Sequence, residues 1–324
     1  MIGYQALHDA AGLVDRSPAG AVVVWGDDAF DFLQSLVSQD LSQLDDGQGA
    51  HSLLLQPTGK LDVEFRVLCV GAAAERQFWL DTEPGFGGRL ADSLNRFKIR
   101  VRAEIADRGE EWGRVSLRGP AAIGVVERAA RVEVPAAAHG HVRWGDVRVV
   151  RADWPGLRGV DVIGPRAAVD AAVPTLVDHG AVSASEAAWE TVRIECGVPR
   201  MGVDLDESVI PQEAFLEQVA VSFDKGCFLG QELVCRIKDR GHVNRHLRRL
   251  RFGSGSSAVP PIGAEIAHDR TTAGAITSAA ESPERGAVVA LGYLRREVPP
   301  GADVVVRWDG AEAAAVVEEI VLAG

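Results

Sequence analysis

The chain has 324 residues, 47% of them apolar and 25% charged, with a net charge of −12. That balance describes a globular protein with a sizeable core and excludes extended disorder; the negative charge repels nucleic acid and anionic membranes, so any polyanion must meet a local basic cluster. No apolar run approaches the ~20 residues of a spanning helix, no secretory signal opens the chain, and Cys69, Cys196, Cys227 and Cys235 contain no CxxC pair, so the expectation is reduced thiols in the cytoplasm and no membrane.

Residues 20–25, Gly-Ala-Val-Val-Val-Trp, read as a short buried strand. Asp27 and Asp28 then offer a cap to a helix carrying Phe30, Leu33, Leu36 and Val37 at helical spacing. Residues 51–55 and 63–70 read as strands around a turn at Pro57, Thr58, Gly59 and Lys60. Gly85, Gly87 and Gly88 are a poor phosphate-loop match and read as a turn. Behind them Phe86, Leu90, Leu94 and Phe97 recur every three or four residues as in a helix, and an alternating strand follows over 99–105. Strands and helices alternate through 114–180, and Ser185 caps a helix that ends at Gly197. The pattern is α+β with several hairpins, not the regular march of a dinucleotide-binding domain.

Past residue 245 the character changes. Gly, Pro and Ser cluster at 253–257 and 260–261, and short β-rich runs follow at 274–278, 287–293, 303–308 and 313–321, as in a small all-β barrel. The boundary falls at 245–255: residues 1–245 form an α+β region, read as two intertwined modules, and 246–324 a C-terminal β-barrel domain.

The densest local feature is residues 224–232, Asp-Lys-Gly-Cys-Phe-Leu-Gly-Gln-Glu. Gly226 and Gly230 bracket Cys227, and Lys225 stands where an ammonium favours thiolate. The chain has four lysines against thirty arginines, so a lysine here is a departure from its habit. The plain alternative is a tight turn around an inert buried cysteine. A metal cage of Cys227, Cys235, His242 and His246 is disfavoured, because C-x7-C-x6-H-x3-H matches no zinc pattern. Residues 236–251 hold Arg236, Lys238, Arg240, Arg245, Arg248, Arg249 and Arg251 against one acid, Asp239. They form either a landing strip for RNA phosphates or a folate's glutamate tail, or the solvated face of a strand, since Leu250 and Phe252 alternate with Arg249 and Arg251. Glu195 lies near the end of a helix striped by Trp189, Val192 and Cys196; it could take the paired donors of an amino-pyrimidine edge, or pair with Arg193.

Together these pieces resemble a known family. Residues 225–232, followed by Arg236 and Arg240-Gly241, resemble the K-G-C-(F/Y)-x-G-Q-E signature of YgfZ-type folate-binding proteins, relatives of the glycine-cleavage T-protein. Residues 32–41 and 53–60 resemble that family's N-terminal stretch, Arg193 to Gly197 with Gly202-Val203-Asp204 its central helix and loop, and residues 274–278 its barrel. The resemblance implies an α+β aminomethyltransferase-like folate-binding body with a C-terminal all-β barrel, and tetrahydrofolate or a one-carbon derivative as cofactor. By position Glu195 is similar to the glutamate that holds the pterin ring, and Lys225, Cys227, Gln231 and Glu232 match the YgfZ-type motif. That branch is linked to the upkeep of iron–sulfur enzymes and to tRNA thiomodification.

One stretch departs from the T-protein pattern of a glycine pair followed by an acidic pair. Here it reads Gly59-Lys60-Leu61-Asp62-Val63-Glu64, with Val63 in place of the first acid. Glu64 is one methylene longer than aspartate, and Asp62 projects to the strand face opposite Val63. The expectation is therefore a tetrahydrofolate-binding protein that supports iron–sulfur proteins or their assembly factors. Cys227 is its poised thiol with Lys225 beside it, and Glu195, Arg193, Gln231, Glu232, Arg236 and Arg240 are turned to the cofactor. A folate-dependent aminomethyltransferase is the alternative, and an RNA- or protein-binding adaptor using 236–251 the second.

Overall fold

The computed structural model describes residues 2–18, 20–72, 75–253 and 258–322. All but the first residue of the glycine–serine cluster at 253–257 thus lies outside the described residues. The chain opens with helix α1 (Tyr4–Asp9) and strand β1 (Gly12–Asp15). It then builds an antiparallel sheet from β2 (Gly20–Trp25), β3 (Gly49–Leu55), β4 (Leu61–Val70), β5 (Gln77–Thr82) and β6 (Glu104–Asp107), in the order β3-β4-β5-β2-β6. Helices α2 (Ala29–Leu36) and α3 (Gly87–Phe97) cover one face. A second sheet takes β7 (Trp112–Arg118), β8 (His141–Trp144), β9 (Val147–Arg151), β10 (Gly159–Pro165) and β11 (Val182–Ser183), joined by β1, in the order β11-β1-β7-β10-β9-β8. Helices α4 (Ala122–Ala130) and α5 (Arg166–Asp178) back it. Because β1 belongs to the second sheet, the chain leaves that sheet, completes the first, and returns. Helices α6 (Glu186–Cys196), α7 (Glu217–Ala220) and α8 (Gln231–Arg240) then lead to the barrel.

The barrel strands are β12 (Arg245–Phe252), β13 (Glu265–His268), β14 (Thr271–Ser282), β15 (Ala287–Arg295), β16 (Asp303–Trp308) and β17 (Ala311–Glu318), closed in the order β12-β15-β14-β13-β16-β17. Leu250, Ile266, Ile276, Val288, Leu294 and Val306 fill its interior, so it is a packed core rather than a ligand chamber. The architecture is thus an α+β body with a closed all-β barrel. No helix among the described residues is long and apolar enough to cross a membrane.

Periodicity explains the layers. In β2, Val22 and Val24 pack with Phe32, Leu33, Leu90 and Leu94, while Ala21 and Val23 face Trp112, Val150 and Ile163 of the second sheet. A strand buried on both faces reads as an unbroken apolar run. In β4, Val63, Phe65 and Val67 enter the helix-covered core and Asp62, Glu64 and Arg66 take the other face. Leu53, Leu55 and Leu61 join Met201, Leu205 and the barrel's Leu247, Leu291 and Tyr293, sealing the first sheet to the barrel. Each such side chain contributes about 1.5–3 kcal/mol by burial. Ser185 caps α6 by accepting from the Ala188 N–H at 3.2 Å, and Gly197 closes it at φ 73°.

Two local expectations need correction. Asp28 does precede α2, but its carboxylate accepts from the backbone N–H and guanidinium of Arg102 instead of capping the helix. The strand expected over 99–105 begins only at Glu104. Arg100 takes φ 57° and Ile99 is 76% exposed, so the chain turns where the alternation of apolar residues mimics a strand.

Candidate functional site

Where the open face of the first sheet meets the second sheet and α6, a cavity of about 940 Å³ opens, within the size range of small-molecule sites. Its wall is an ion network. Arg66 on β4 reaches Asp81 on β5 and Asp161 on β10, the latter at 2.8 Å. Arg114 on β7 meets Asp81 at 3.0 Å and Glu83 at 3.1 Å, and Arg118 meets Asp161 at 2.9 Å. Arg16, after β1, pairs with Glu83 and Glu186. The Arg118 guanidinium also lies 4.7 Å from the ring centroids of both Trp154 and Trp189. Burial works against the Asp161 charge, and Arg118, Arg66 and Arg114 overcome it, holding the carboxyl far below the usual carboxylate range.

The network leaves polar atoms unused. Nε of Arg16, Arg114 and Arg118 and Nδ1 of His139 are buried in the wall without a hydrogen-bond partner among the described residues. Such groups cost free energy unless they are paired, and the three arginine Nε–H groups can donate to an acceptor placed in the cavity.

Glu64 faces the same cavity. Its Oε1 meets Nε2 of His51, from the neighbouring strand β3, at 2.5 Å. The His139 ring stands edge-on to His51 at 6.0 Å, and its backbone takes φ 58°, uncommon for a residue with a side chain. Burial, then Arg66 and His51, push the His139 pKa down to about 3, so this ring is neutral at ordinary pH. Asp62, two residues before Glu64, is instead drawn to Arg89 at 2.9 Å.

Of the residues singled out from the sequence, Arg193 lies in the cavity wall. Its guanidinium is buried on Glu190, Asp204 at 2.7 Å, Ser278 and the Val198 carbonyl, which ties α6 to the barrel. Glu195 turns away from Arg193 into a neighbouring recess of about 390 Å³. There it accepts from the Tyr4 hydroxyl at 2.5 Å and meets His8 Nε2 at 2.9 Å, while His8 Nδ1 meets Glu284 at 2.9 Å. Residues 155–157 line both chambers.

Among the described residues, Lys225, Cys227, Gln231, Glu232, Arg236 and Arg240 line neither chamber. Lys225 donates to the carbonyls of Gln34 and Val37, both at 2.7 Å, and Gln39 at 3.0 Å. It thus closes the C-terminal end of α2, and burial lowers its pKa to about 8. With its donors so engaged, it anchors the loop to that helix. Cys227 is exposed. Gln231 accepts from the Phe228 N–H, Glu232 pairs with Arg236 one helical turn on, and Arg240 ends α8. Gly230 in this motif and Gly59 in the turn beside it each occupy a position that requires glycine. Both take left-handed backbone, at φ 76° and 78°; a Cβ on Gly230 would meet the Gln56 carbonyl at 2.4 Å, and one on Gly59 would meet Leu233 at 2.6 Å.

The basic run 236–251 is dispersed by folding. Arg245 pairs with Glu213, and Arg249 and Arg251 both pair with Glu318. Arg248 lies over Phe215, on which His246 also stacks. Cavity residues such as His51, Arg66, Arg114 and Asp161 carried no sequence motif; the one visible hint was the Glu64-x-Arg66 alternation in β4.

Comparison with known proteins agrees with this architecture. Residues 3–225 match the family described as GCVT N-terminal domain, and 245–322 the glycine cleavage T-protein C-terminal barrel domain. A Rubrobacter xylanophilus protein named aminomethyltransferase is 29% identical over 94% of this chain and 81% of its own length. One of that name from Chlorobium chlorochromatii is 27% identical over 98% and 88%. The crystal structure of the glycine cleavage system aminomethyltransferase T from Bartonella henselae superposes with a TM-score of 0.86 at 21% identity, over 98% of this chain and 87% of that one, a likeness of fold.

Proposed function

Because the chain belongs to the GCVT N-terminal domain family and carries the T-protein barrel behind it, we propose that it binds tetrahydrofolate or a one-carbon derivative in the cavity and acts as a one-carbon transferase of the aminomethyl class. The observation that carries this reading is the unused Nε–H donors of Arg16, Arg114 and Arg118, beside the carboxylates Glu64 and Glu83. A folate fits both halves: its carboxylates and ring carbonyl accept, and its amino-pyrimidine edge donates. When bound, the folate supplies the nitrogens that carry a one-carbon unit. The protein's share is to orient the ring, exclude water and exchange protons through Glu64. We take residues 1–245 as the folate-binding region and 246–324 as the barrel domain, with Arg193 in the cofactor wall and Glu195 as the second pterin candidate. Anaerobic calorimetry of tetrahydrofolate into wild type and Glu195→Ala tests the site. Micromolar binding lost in the variant moves the pterin toward Glu195, retained binding supports the central wall, and no binding by folded wild type sinks the folate reading. Turnover of an aminomethyl-loaded lipoyl carrier, abolished in Glu64→Ala, tests the transferase.

A second reading rests on Cys227, exposed in its glycine-flanked loop while Cys69 is buried and Cys196 and Cys235 are half-buried. It makes the protein a folate-binding helper of iron–sulfur proteins or their assembly factors, of the YgfZ type, with a link to tRNA modification and Gln231, Glu232, Arg236 and Arg240 framing the thiol. Fast alkylation of Cys227 ahead of the other three favours it; equal, slow labelling of all four removes it.

A further inference from the structure

The carboxylates of the cavity wall are not equivalent. Asp81 is held by Arg66 and Arg114, Glu83 by Arg16 and Arg114, Asp153 by Arg151, and Asp161 by Arg66 and Arg118. An arginine keeps its proton at any pH a protein survives, so each of those carboxylates faces a permanent cation. Glu64 is different: among the described residues its ion partner is His51 alone. Imidazole is the side chain whose charge changes between pH 5 and 8. The strand geometry makes this pairing deliberate. His51 stands opposite Arg66, and Glu64 opposite Leu53, in the β3–β4 register, so the two side chains reach each other diagonally on one face. Both side chains are about four-fifths covered, at 17% and 21% exposure.

From this contrast we infer that His51 and Glu64 form one proton-exchanging couple in the cavity wall, with His51 as the positioning residue that holds the Glu64 carboxylate toward a bound ligand. The inference rests on the cavity being the ligand site, as proposed above, and names how that site handles protons. The ligand it suits carries a basic nitrogen, which gives up or takes one proton as it enters. The proton passes between that nitrogen and the couple, and no other bond changes. The remaining charged groups around the couple are held in ion pairs with one another: Arg66 on the same strand, Asp81 and Glu83 from β5 and its end, Arg114 from β7 and Asp161 from β10. His139, edge-on to His51, is neutral.

Proton linkage is the readout that a structural role would not move. Tetrahydrofolate is titrated into the full chain in two buffers of different ionisation enthalpy at pH about 7, where an imidazole exchanges protons. The wild type is expected to show a buffer-dependent enthalpy, lost in His51→Gln and in Glu64→Gln and kept in Asp170→Asn, whose carboxylate is paired with Arg166 away from the cavity. Equal linkage in all four proteins, or loss in Asp170→Asn as well, overturns the couple. If the wild type binds no folate, the reading above fails, and ligand-free protein still tests the couple. Imidazole NMR is expected to show the His51 titration curve altered by Glu64→Gln; an unchanged curve overturns it.

Discussion

Two regions of this molecule concentrate arginine, and folding treats them in opposite ways. Around the cavity, Arg66, Arg114 and Arg118 come from positions 48 and 4 residues apart in sequence, unremarkable there, and fold into one buried network on Asp81 and Asp161. Along 236–251 the cations are adjacent in sequence, yet Glu213 and Glu318 arrive from elsewhere to neutralise three of them. A run of like charge thus predicts a charged surface only when no distant acid folds onto it. A buried charge network leaves almost no trace, because each member is a single residue at the right phase of its strand.

The largest expected effect lies in the buried network. Asp161→Asn leaves Arg66 and Arg118 without a charge they depend on, and should cost about 3–5 kcal/mol in urea unfolding, as breaking a buried pair does. A loss below 1 kcal/mol would erase the contrast. Glu318→Gln at the barrel edge should cost less, about 1 kcal/mol, since its partners are partly solvated. Burial opposes the Glu318 charge, and Arg249, Arg251 and Arg285 outweigh it and lower its pKa. Its stabilising share is therefore present above the ordinary carboxylate pKa of about 4.3 and is lost as pH falls through the lower folded value. The variant's stability should accordingly decline less steeply than the wild type's on acidification below that value. Smallest of all, Arg236→Ala removes an exposed helical pair with Glu232 and should stay within about 0.5 kcal/mol.

The same contrast explains what was legible in the sequence. Elements with strong local codes were: the apolar run of β2, the Ser185 cap, Gly197 and the close-spaced strands of the barrel. The false strand over 99–105 failed because its alternation is real but Arg100 turns left-handed. The octet at 225–232 stood out for residue types, while its neighbours were invisible. Only the fold shows that Lys225 is held by three carbonyls of the α2 end. Glu195 was singled out, but not its engagement with Tyr4 and His8, which are contributed by an N-terminal helix far away in sequence. His51 carried no signal, since a lone histidine is informative only once its carboxylate is known.

The contact between Gly59 and Gly230 has a consequence for anyone moving this motif between scaffolds. The cysteine octet is not a portable cassette: its second glycine is shaped against the Gln56–Lys60 hairpin turn, and that turn's glycine against Leu233. The two segments, some 170 positions apart, are halves of one joint. A graft that carries residues 225–232 without the turn would bring the thiol but not the seat that orients it, and natural variation at either glycine should be answered at the other.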